Sequence, residues 1–259
     1  MKIAITGKGG VGKTTLASLL ASLFADEGRR VIAVDADPDA NLASGLGISQ
    51  QEAEKIKPIA DMADLIEERT GAKPGGPGGI FKLNPKVNDL PEGIGYRKGR
   101  ITLLTMGKLK DAGSGCYCPE NVLLRTLLKH LIIERSEVVI VDMEAGIEHL
   151  TRGTAESVDA FIVVVEPGQR SMQTARTVAE MAKNLGVQKV FVVANKVRGA
   201  EDIDFIRKNI PGMEFLGAIS FSHALMEADI QGTSPYLHAK ETVEEIRTLK
   251  NMIEERILS

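Results

Sequence analysis

The chain is poor in aromatic residues, contains no tryptophan and has only two cysteines among its 259 residues. Because aromatic residues make up 4% of the chain, valine, isoleucine, leucine and alanine must form most of the core. The longest apolar stretches fall far short of the roughly 20 residues that a membrane-spanning helix needs. A hydrophobic content of 43% and a charged content of 26% are typical of a globular protein, and the length suits one large domain or two small ones.

The chain also lacks an excess of positive charge, since its net charge is −3 and its pI is about 5.9. This balance argues against an extended nucleic-acid-binding surface, and no nucleic-acid partner is expected. Residues 242–258 form an amphipathic helical pattern in which glutamates outnumber basic residues, whereas membrane-surface helices are rich in Lys and Arg. We expect this helix to dock on its own domain, and we expect no membrane partner. Residues 1–6 lead directly into a strand without a signal peptide, which predicts a cytoplasmic protein.

Apolar runs alternate with helical patterns along the chain, which predicts an α/β fold. Several runs are continuous and rich in Val and Ile, as in strands that are buried on both faces of a parallel sheet. We therefore predict a doubly wound, mostly parallel sheet with helices on both faces, in a single domain over residues 1–259. The predicted strands are residues 2–6, 31–35, 101–105, 138–142, 160–165, 189–195 and 214–219, and the predicted helices are residues 14–27, 120–134, 171–185, 201–209, 222–230 and 242–258.

Residues 71–100 interrupt this alternation with a Gly/Pro-rich insertion that contains the run GAKPGGPGG. Gly and Pro at this density are typical of a surface loop or a hairpin with a mobile tip. The alternative is a flap that docks a partner.

A phosphate-binding loop, GKGGVGKTT, follows the first predicted strand and precedes the first predicted helix. Gly7, Gly12, Lys13 and Thr14 satisfy the P-loop pattern, whose backbone N–H groups surround phosphates at the positive end of a helix. In such a loop Lys13 bridges the terminal phosphates, and the Thr14 hydroxyl binds Mg²⁺. Lys8 is not needed for either task. The sequence therefore predicts an ATP and Mg²⁺ site with one additional lysine.

Carboxylates follow two of the other predicted strands, at the sheet edge where ligands of such folds bind. Asp35 and Asp37 follow the second strand, and Asp142 ends the run VVIVD, with Gly146 placed to approach the γ-phosphate. Near a P-loop, such carboxylates can serve magnesium or orient an attacking water. The alternative for the Asp-Pro-Asp run is helix capping and turn formation.

Asn195 and Lys196 follow the strand VFVVA at the same edge. An asparagine amide can pair with both N6 and N7 of adenine, so these residues are predicted to contact the base. The alternative is an asparagine that caps the next helix.

Taken together, GKGGVGKTT with Lys8, DADPDAN, VDMEAG and the late asparagine resemble the deviant Walker A ATPases over essentially the whole chain. This group includes the MinD and ParA proteins, the nitrogenase iron protein and the ATPases that target tail-anchored proteins. The resemblance implies ATP-dependent homodimerisation and catalytic roles for Lys8, Lys13 and Asp37: Lys8 reaches the partner's phosphates, and Asp37 orients water. It also implies that Asp35 and Asp142 serve magnesium and that Thr15 contacts the α-phosphate. The full set of predicted nucleotide-binding residues is Gly9, Gly10, Val11, Gly12, Lys13, Thr14, Thr15, Asp35, Asp142, Gly146, Asn195 and Lys196.

Cys116 and Cys118 form a Cys-x-Cys turn followed by Pro119, a residue that suits the first position of a helix. A disulfide between residues two apart would be strained, whereas a helix N-terminus favours the thiolate form that binds zinc, nickel or copper(I). The alternative is a pair of small buried apolar residues. Two ligands are too few for a firm metal site, but a twofold axis would join two such turns into a four-thiolate cage. His130 and His149 could add ligands, but a lone histidine is more often a surface or capping residue.

The Cys-Tyr-Cys-Pro-Glu-Asn turn, together with VDMEAGIEHLTRG, is similar to one branch of this group, the CooC family. That resemblance implies an accessory ATPase that binds Ni²⁺ (or Zn²⁺) and inserts nickel into carbon monoxide dehydrogenase, with the related acetyl-CoA synthase as the other possible client. Two other functions remain open. One is a MinD/ParA-like positioning ATPase that acts on membrane or DNA, and the other is an iron–sulfur reductase like the nitrogenase iron protein, whose cysteines lie far apart in the chain.

Overall fold

A computed structural model describes residues 1–74, 80–107, 118–144, 150, 152–210 and 212–258. Its strands are β1 (Lys2–Thr6), β2 (Val31–Ala36), β3 (Tyr96–Lys98), β4 (Ile101–Thr105), β5 (Val138–Met143), β6 (Ala160–Val165), β7 (Val190–Val197) and β8 (Glu214–Ser220). Its helices are α1 (Lys13–Asp26), α2 (Leu42–Gly45), α3 (Gln50–Ala53), α4 (Ala63–Thr70), α5 (Leu90–Ile94), α6 (Pro119–Ile133), α7 (Arg152–Ala155), α8 (Gln169–Asn184), α9 (Ala200–Asn209), α10 (His223–Ile230), α11 (Pro235–His238) and α12 (Lys240–Leu258), with a 3₁₀ turn at Ile59–Asp61.

The strands of the described residues form one eight-stranded sheet in the order β3-β4-β2-β5-β1-β6-β7-β8. Neighbouring strands run parallel except for β3, which pairs antiparallel with β4 at one edge. Because the other seven strands point the same way, the segments that follow them emerge at one edge of the sheet, which we call the carboxyl edge. The predicted fold class is confirmed, and each predicted strand and helix is present within two residues of its expected ends.

Two apolar cores lie on opposite faces of the sheet. On one face α6, α8 and α9 pack through residues such as Leu127, Met172 and Ile206. On the other face α1 and α12 pack through residues such as Leu20 and Ile246. Successive strand residues alternate between the two clusters, as the twofold period of a strand requires. The sheet is therefore covered on both faces, which explains why its central strands are apolar at nearly every position.

The sequence did not predict the elements between β2 and β4. Four short helices and the 3₁₀ turn lie between Leu42 and Ile94, and β3 contains only three residues. Part of the Gly/Pro-rich region 71–100 is therefore regular, since α5 and β3 lie inside it. Both elements are shorter than the windows that reveal helical or strand periodicity. The hairpin alternative for this region agrees with the antiparallel pairing of β3 with β4, while residues 75–79 lie outside the described ranges.

The C-terminal helix α12 docks on α1 and β8 of its own chain, as predicted. Val243, Ile246, Leu249 and Ile253 are buried in the core on that face. The Lys250 side chain is buried as well, and its ammonium donates to Glu27 and Glu254 and lies over the Phe24 ring. Among the described helices, none is both apolar enough and long enough to cross a membrane.

Candidate nucleotide site

The phosphate-binding loop connects β1 to α1 and ends in the first turn of that helix. Gly12 caps α1 in a left-handed conformation, with a φ of 97°, and the Leu16 N–H donates to its carbonyl. Lys13, Thr14 and Thr15 therefore occupy the first three helical positions, where backbone N–H groups have no partner within the helix. These N–H groups and the positive end of the helix dipole make this turn a site for anions.

Two glycines of the loop are required by close approach as well as by conformation. Gly7 has a φ of 148°, and an added Cβ would lie 2.3 Å from the Val164 carbonyl oxygen in β6. At Gly12 an added Cβ would lie 2.1 Å from the Asn195 amide nitrogen. A side chain at Gly7 would force the backbone apart, and one at Gly12 would displace the Asn195 amide and strain a left-handed residue, so the glycine pattern of the motif has a steric cause here.

Lys13 and Asp37 form an ion pair next to the loop. The Lys13 ammonium lies 3.6 Å from Asp37 Oδ2, and the two side chains are 6% and 18% exposed. Asp37 Oδ1 accepts the backbone N–H of Asp39 at 3.1 Å. The pair places one cation and one carboxylate beside the free N–H groups of α1, where a phosphate chain and an attacking water would meet.

Asp35 and Asp142 lie side by side on the neighbouring parallel strands β2 and β5. Both are buried, and burial raises the pKa of Asp35 to about 7 and that of Asp142 to about 6. Asp35 accepts the Leu42 N–H at 2.9 Å and the Asp37 N–H at 3.4 Å, so it also holds the turn after β2 and the first residue of α2. The Thr14 hydroxyl donates to Asp142 Oδ2 at 2.6 Å.

These residues fit a magnesium ion. Asp142 Oδ1 is buried without a hydrogen-bond partner among the described residues, and such an orphaned carboxylate oxygen is costly unless a cation or a water satisfies it. Carboxylate and hydroxyl oxygens are the ligands that Mg²⁺ prefers. Thr14, Asp142 and, behind them, Asp35 would hold the ion beside the phosphates.

We expect the affinity for Mg²⁺–ADP to rise by about tenfold from pH 5.5 to pH 7.5, because Mg²⁺ requires the ionised carboxylates. The stability of the metal-free protein should change in the opposite direction. Asp35 and Asp142 have higher pKa values in the folded chain than in the unfolded chain, so the free energy of unfolding should fall as the pH rises from about 4 to about 7. Titration calorimetry at both pH values, and melting temperatures with EDTA, would measure the two trends. Asp142→Asn is the control. If the affinity of this variant for Mg²⁺–ADP had the same pH dependence as that of the original protein, the assignment of Asp142 to the magnesium site would be contradicted.

Asn195 and Lys196 lie at the carboxyl edge directly against the phosphate-binding loop. The Asn195 amide donates to the Val11 carbonyl at 2.7 Å, and its oxygen accepts the Lys196 N–H at 2.9 Å. The Lys196 ammonium donates to the Gly10 carbonyl at 2.6 Å. The amide of Asn195 retains one N–H and one lone pair, so its predicted contact with adenine remains a prediction.

A cleft of about 560 Å³ opens beside these residues and extends toward α10. The sequence missed one wall of it, which consists of residues after β8 and in α10. A simple rule would have found them, because the segment after β8 leaves the same carboxyl edge as the other site residues. Predicted site residues that line the cleft are Gly9, Gly10, Gly12, Lys13, Thr14, Thr15, Asp37, Asn195 and Lys196, and unpredicted ones include Asp39, Asn41, Phe221, Leu225, Met226 and Asp229.

The remaining predicted residues have different outcomes. Lys8 is half-buried, and no carboxylate of the described residues lies within ion-pair distance of its ammonium.

Cys118 is the half-buried N-cap of α6, whose carbonyl accepts the Val122 N–H at 3.1 Å. Gly146 and Cys116 lie outside the described residues, as does His149, so the predictions for them are not tested. His130 is buried within α6 and contacts Glu134.

Known proteins resemble this chain over nearly its whole length. The carbon monoxide dehydrogenase accessory protein CooC of Rhodospirillum rubrum is 48% identical over 91% of this chain and 89% of that protein. An uncharacterized ATP-binding protein of Methanocaldococcus jannaschii is 47% identical over 98% of this chain and 97% of that protein. A crystal structure of a ParA family ATPase from Chlorobium tepidum superposes with a TM-score of 0.69 at 17% identity, covering 98% of this chain and 97% of that one, which shows a shared fold.

The sequence also matches the family described as the CobQ/CobB/MinD/ParA nucleotide binding domain over residues 2–236. The resemblance that the P-loop and strand-end motifs indicated is confirmed by this match and by the similarity to CooC. The chain belongs to the CobQ/CobB/MinD/ParA family of nucleotide-binding proteins.

Proposed function

We propose that the protein is an ATP-hydrolysing, homodimeric metallochaperone that carries nickel, its cargo, to a nickel enzyme in the cytoplasm. The client would be carbon monoxide dehydrogenase or the related acetyl-CoA synthase. The observation that carries the proposal is the position of Cys118, which starts α6 at the same sheet edge as the phosphate-binding loop. The 48% identity to CooC of Rhodospirillum rubrum, an accessory protein of carbon monoxide dehydrogenase, supports the choice of client.

The Cys-x-Cys turn belongs to the connection between β4 and α6. Strand β4 is the immediate neighbour of β2, with Thr105 paired to Asp35, and the Met106 N–H donates to the Asp35 carbonyl at 2.8 Å. The connection therefore leaves the sheet one strand away from the nucleotide carboxylates. Two copies that meet through their carboxyl edges would bring both turns, and both nucleotides, to one interface. Zinc would suit the same four-thiolate cage.

Hydrolysis would use residues that are already grouped in the cleft. The first-turn N–H groups and Lys13 bind the phosphates, while Asp37 orients a water for attack on the γ-phosphorus and the ADP oxygen leaves. Mg²⁺, when bound, neutralises phosphate charge and polarises the bond that breaks. Lys13 pairs with Asp37 and would also bind the phosphates. Loss of the γ-phosphate would therefore change the contacts of both side chains. That change would open the dimer and release the ion.

Equilibrium dialysis with Ni²⁺ tests the proposal directly. With a non-hydrolysable ATP analogue we expect about one ion per dimer, and with ADP we expect weaker retention that falls further on dilution. Ion binding that is equal in both nucleotide states and independent of protein concentration would refute the chaperone role. Co-sedimentation with liposomes or DNA in the presence of ATP would, if positive, favour a positioning ATPase instead.

Lys8→Ala is expected to prevent ATP-dependent dimerisation while changing the affinity for ADP by less than about threefold. The half-buried Lys8 has no ion-pair partner among the described residues, so its ammonium is available to the phosphates of a second subunit. Light scattering coupled to size exclusion, with the ATP analogue bound, would measure the change. Lys208→Ala, which removes an exposed charge from α9, is the control. A normal dimer of the Lys8 variant would contradict the role across the interface.

A further inference from the structure

Lys196 has an unusual backbone conformation. Among the described residues it is the one non-glycine residue with a positive φ, at 57°. The pairing of β7 with β8 also shifts register between Ala194 and Val197. Residues that are held in sparsely populated backbone regions cluster at functional sites, where the surrounding structure stabilises them. The contacts of Lys196 should therefore explain why its positive φ is retained.

Those contacts converge on the phosphate-binding loop. The Lys196 ammonium donates to the Gly10 carbonyl at 2.6 Å and lies 3.4 Å from the carboxylate of Glu166, which follows β6. Glu166 lies between β6 and α8, and its backbone N–H donates to the hydroxyl of Ser171 in the first turn of α8 at 3.1 Å. A series of polar contacts thus runs from the start of α8, through Glu166 and Lys196, to the loop.

Asn195 and Lys196 hold two consecutive peptide groups of the loop. A peptide group is planar, so a bond to the Gly10 carbonyl also sets the direction of the Val11 N–H, and a bond to the Val11 carbonyl sets that of the Gly12 N–H. Gly10 and Gly12 are left-handed and Gly9 and Gly10 are exposed, so these peptide groups would otherwise rotate easily. The Val11 N–H donates to the Lys8 carbonyl at 3.4 Å, which closes the loop, and the Gly12 N–H belongs to the stretch that would receive phosphate.

We infer that Lys196 is a positioning residue whose ammonium holds the phosphate-binding loop in its binding geometry, in place of the contact with the base that the sequence predicted for it. The inference rests on nucleotide binding, which the family match supports, and it is independent of the metal cargo. Its specific consequence is that Lys196 acts on the phosphate part of any ligand, whatever base the ligand carries.

The test compares ADP with inorganic tripolyphosphate, which has no base. Calorimetry on Lys196→Met should give about a tenfold loss of affinity for both ligands, because ordering the loop would then be part of the binding step. Glu166→Gln should give a smaller loss that is again equal for the two ligands. Lys196→Gly, in which the left-handed conformation is unstrained, should show the same loss as Lys196→Met with an unchanged or higher melting temperature.

Lys189→Met is the matched control. The Lys189 ammonium also donates to two backbone carbonyls, those of Arg256 and Ile257, but at the opposite end of the sheet. This variant should bind both ligands normally. A loss of affinity for ADP alone would assign Lys196 to the base and overturn the inference. Unchanged affinities in both Lys196 variants, or an equal loss in Lys189→Met, would overturn it as well.

Discussion

Replacing Lys13 with methionine is expected to lower the affinity for ADP and ATP by more than about a hundredfold. Two effects add in the same direction. The phosphates lose a charge-assisted hydrogen bond inside a partly buried site, and Asp37, which is 18% exposed and 3.6 Å from the ammonium, becomes an unpaired negative charge beside them. Methionine has nearly the length of the lysine stem, so the 6% exposed side chain should remain packed.

Calorimetry with ADP would measure this loss, and the melting temperature would show that the fold is retained. Lys98→Met is the control, because the Lys98 ammonium donates to the carbonyls of Leu46 and Gly47, away from the loop. Affinity within about threefold of the original protein would mean that the backbone N–H groups alone bind the phosphates.

Replacing both Cys116 and Cys118 with serine is expected to remove nickel binding, from about one ion per dimer to nearly none. A hydroxyl is not deprotonated at neutral pH, so it cannot replace a thiolate as a ligand for a soft metal site. In a four-thiolate cage the single variant Cys118→Ser leaves two thiolates and should weaken binding by at least about a hundredfold. The chain has no other cysteine that could compensate.

Metal analysis after dialysis, with the ATP analogue bound, would measure this result. Tyr117→Phe is the control, because it alters the same turn and keeps both thiols. The double variant should still form the ATP-dependent dimer, and this separates a metal defect from an assembly defect. Full nickel binding by the double variant would place the metal elsewhere in the protein.

The parts of the fold that the sequence predicts well are those with long, regular periodicity. The strand β1, the phosphate-binding loop and the helix α1 follow from local pattern alone, because apolar runs, glycines and a helical face occur in immediate succession. Asp35 and Asp142 follow from the rule that ligands bind at the carboxyl edge. The helices α2 to α5 and the three-residue strand β3 could not be predicted, since they are shorter than the windows in which helical or strand periodicity is recognised.

The site residues likewise separate into those that a local motif predicts and those that only the fold reveals. The sequence predicted Asn195 and Lys196 as nucleotide-binding residues, but it could not show that their side chains bond to Val11 and Gly10, because 184 or more residues separate the partners. It also missed Glu166, which is recognisable only through its contact with Lys196. A motif identifies which residues are near the ligand, whereas the task of each residue depends on neighbours that only the fold supplies.

The connection from β4 to α6 has a consequence for how such proteins diversify. It joins two core elements at the sheet edge that carries the candidate nucleotide residues, and its described residues, 106, 107 and 118, do not line the cleft beside the phosphate-binding loop. Connections between core elements tolerate changes of composition more readily than the elements themselves. Substitutions confined to this connection would therefore change what the proposed chaperone binds while the phosphate-binding loop keeps its sequence, as expected of a fold whose function depends on individual sites.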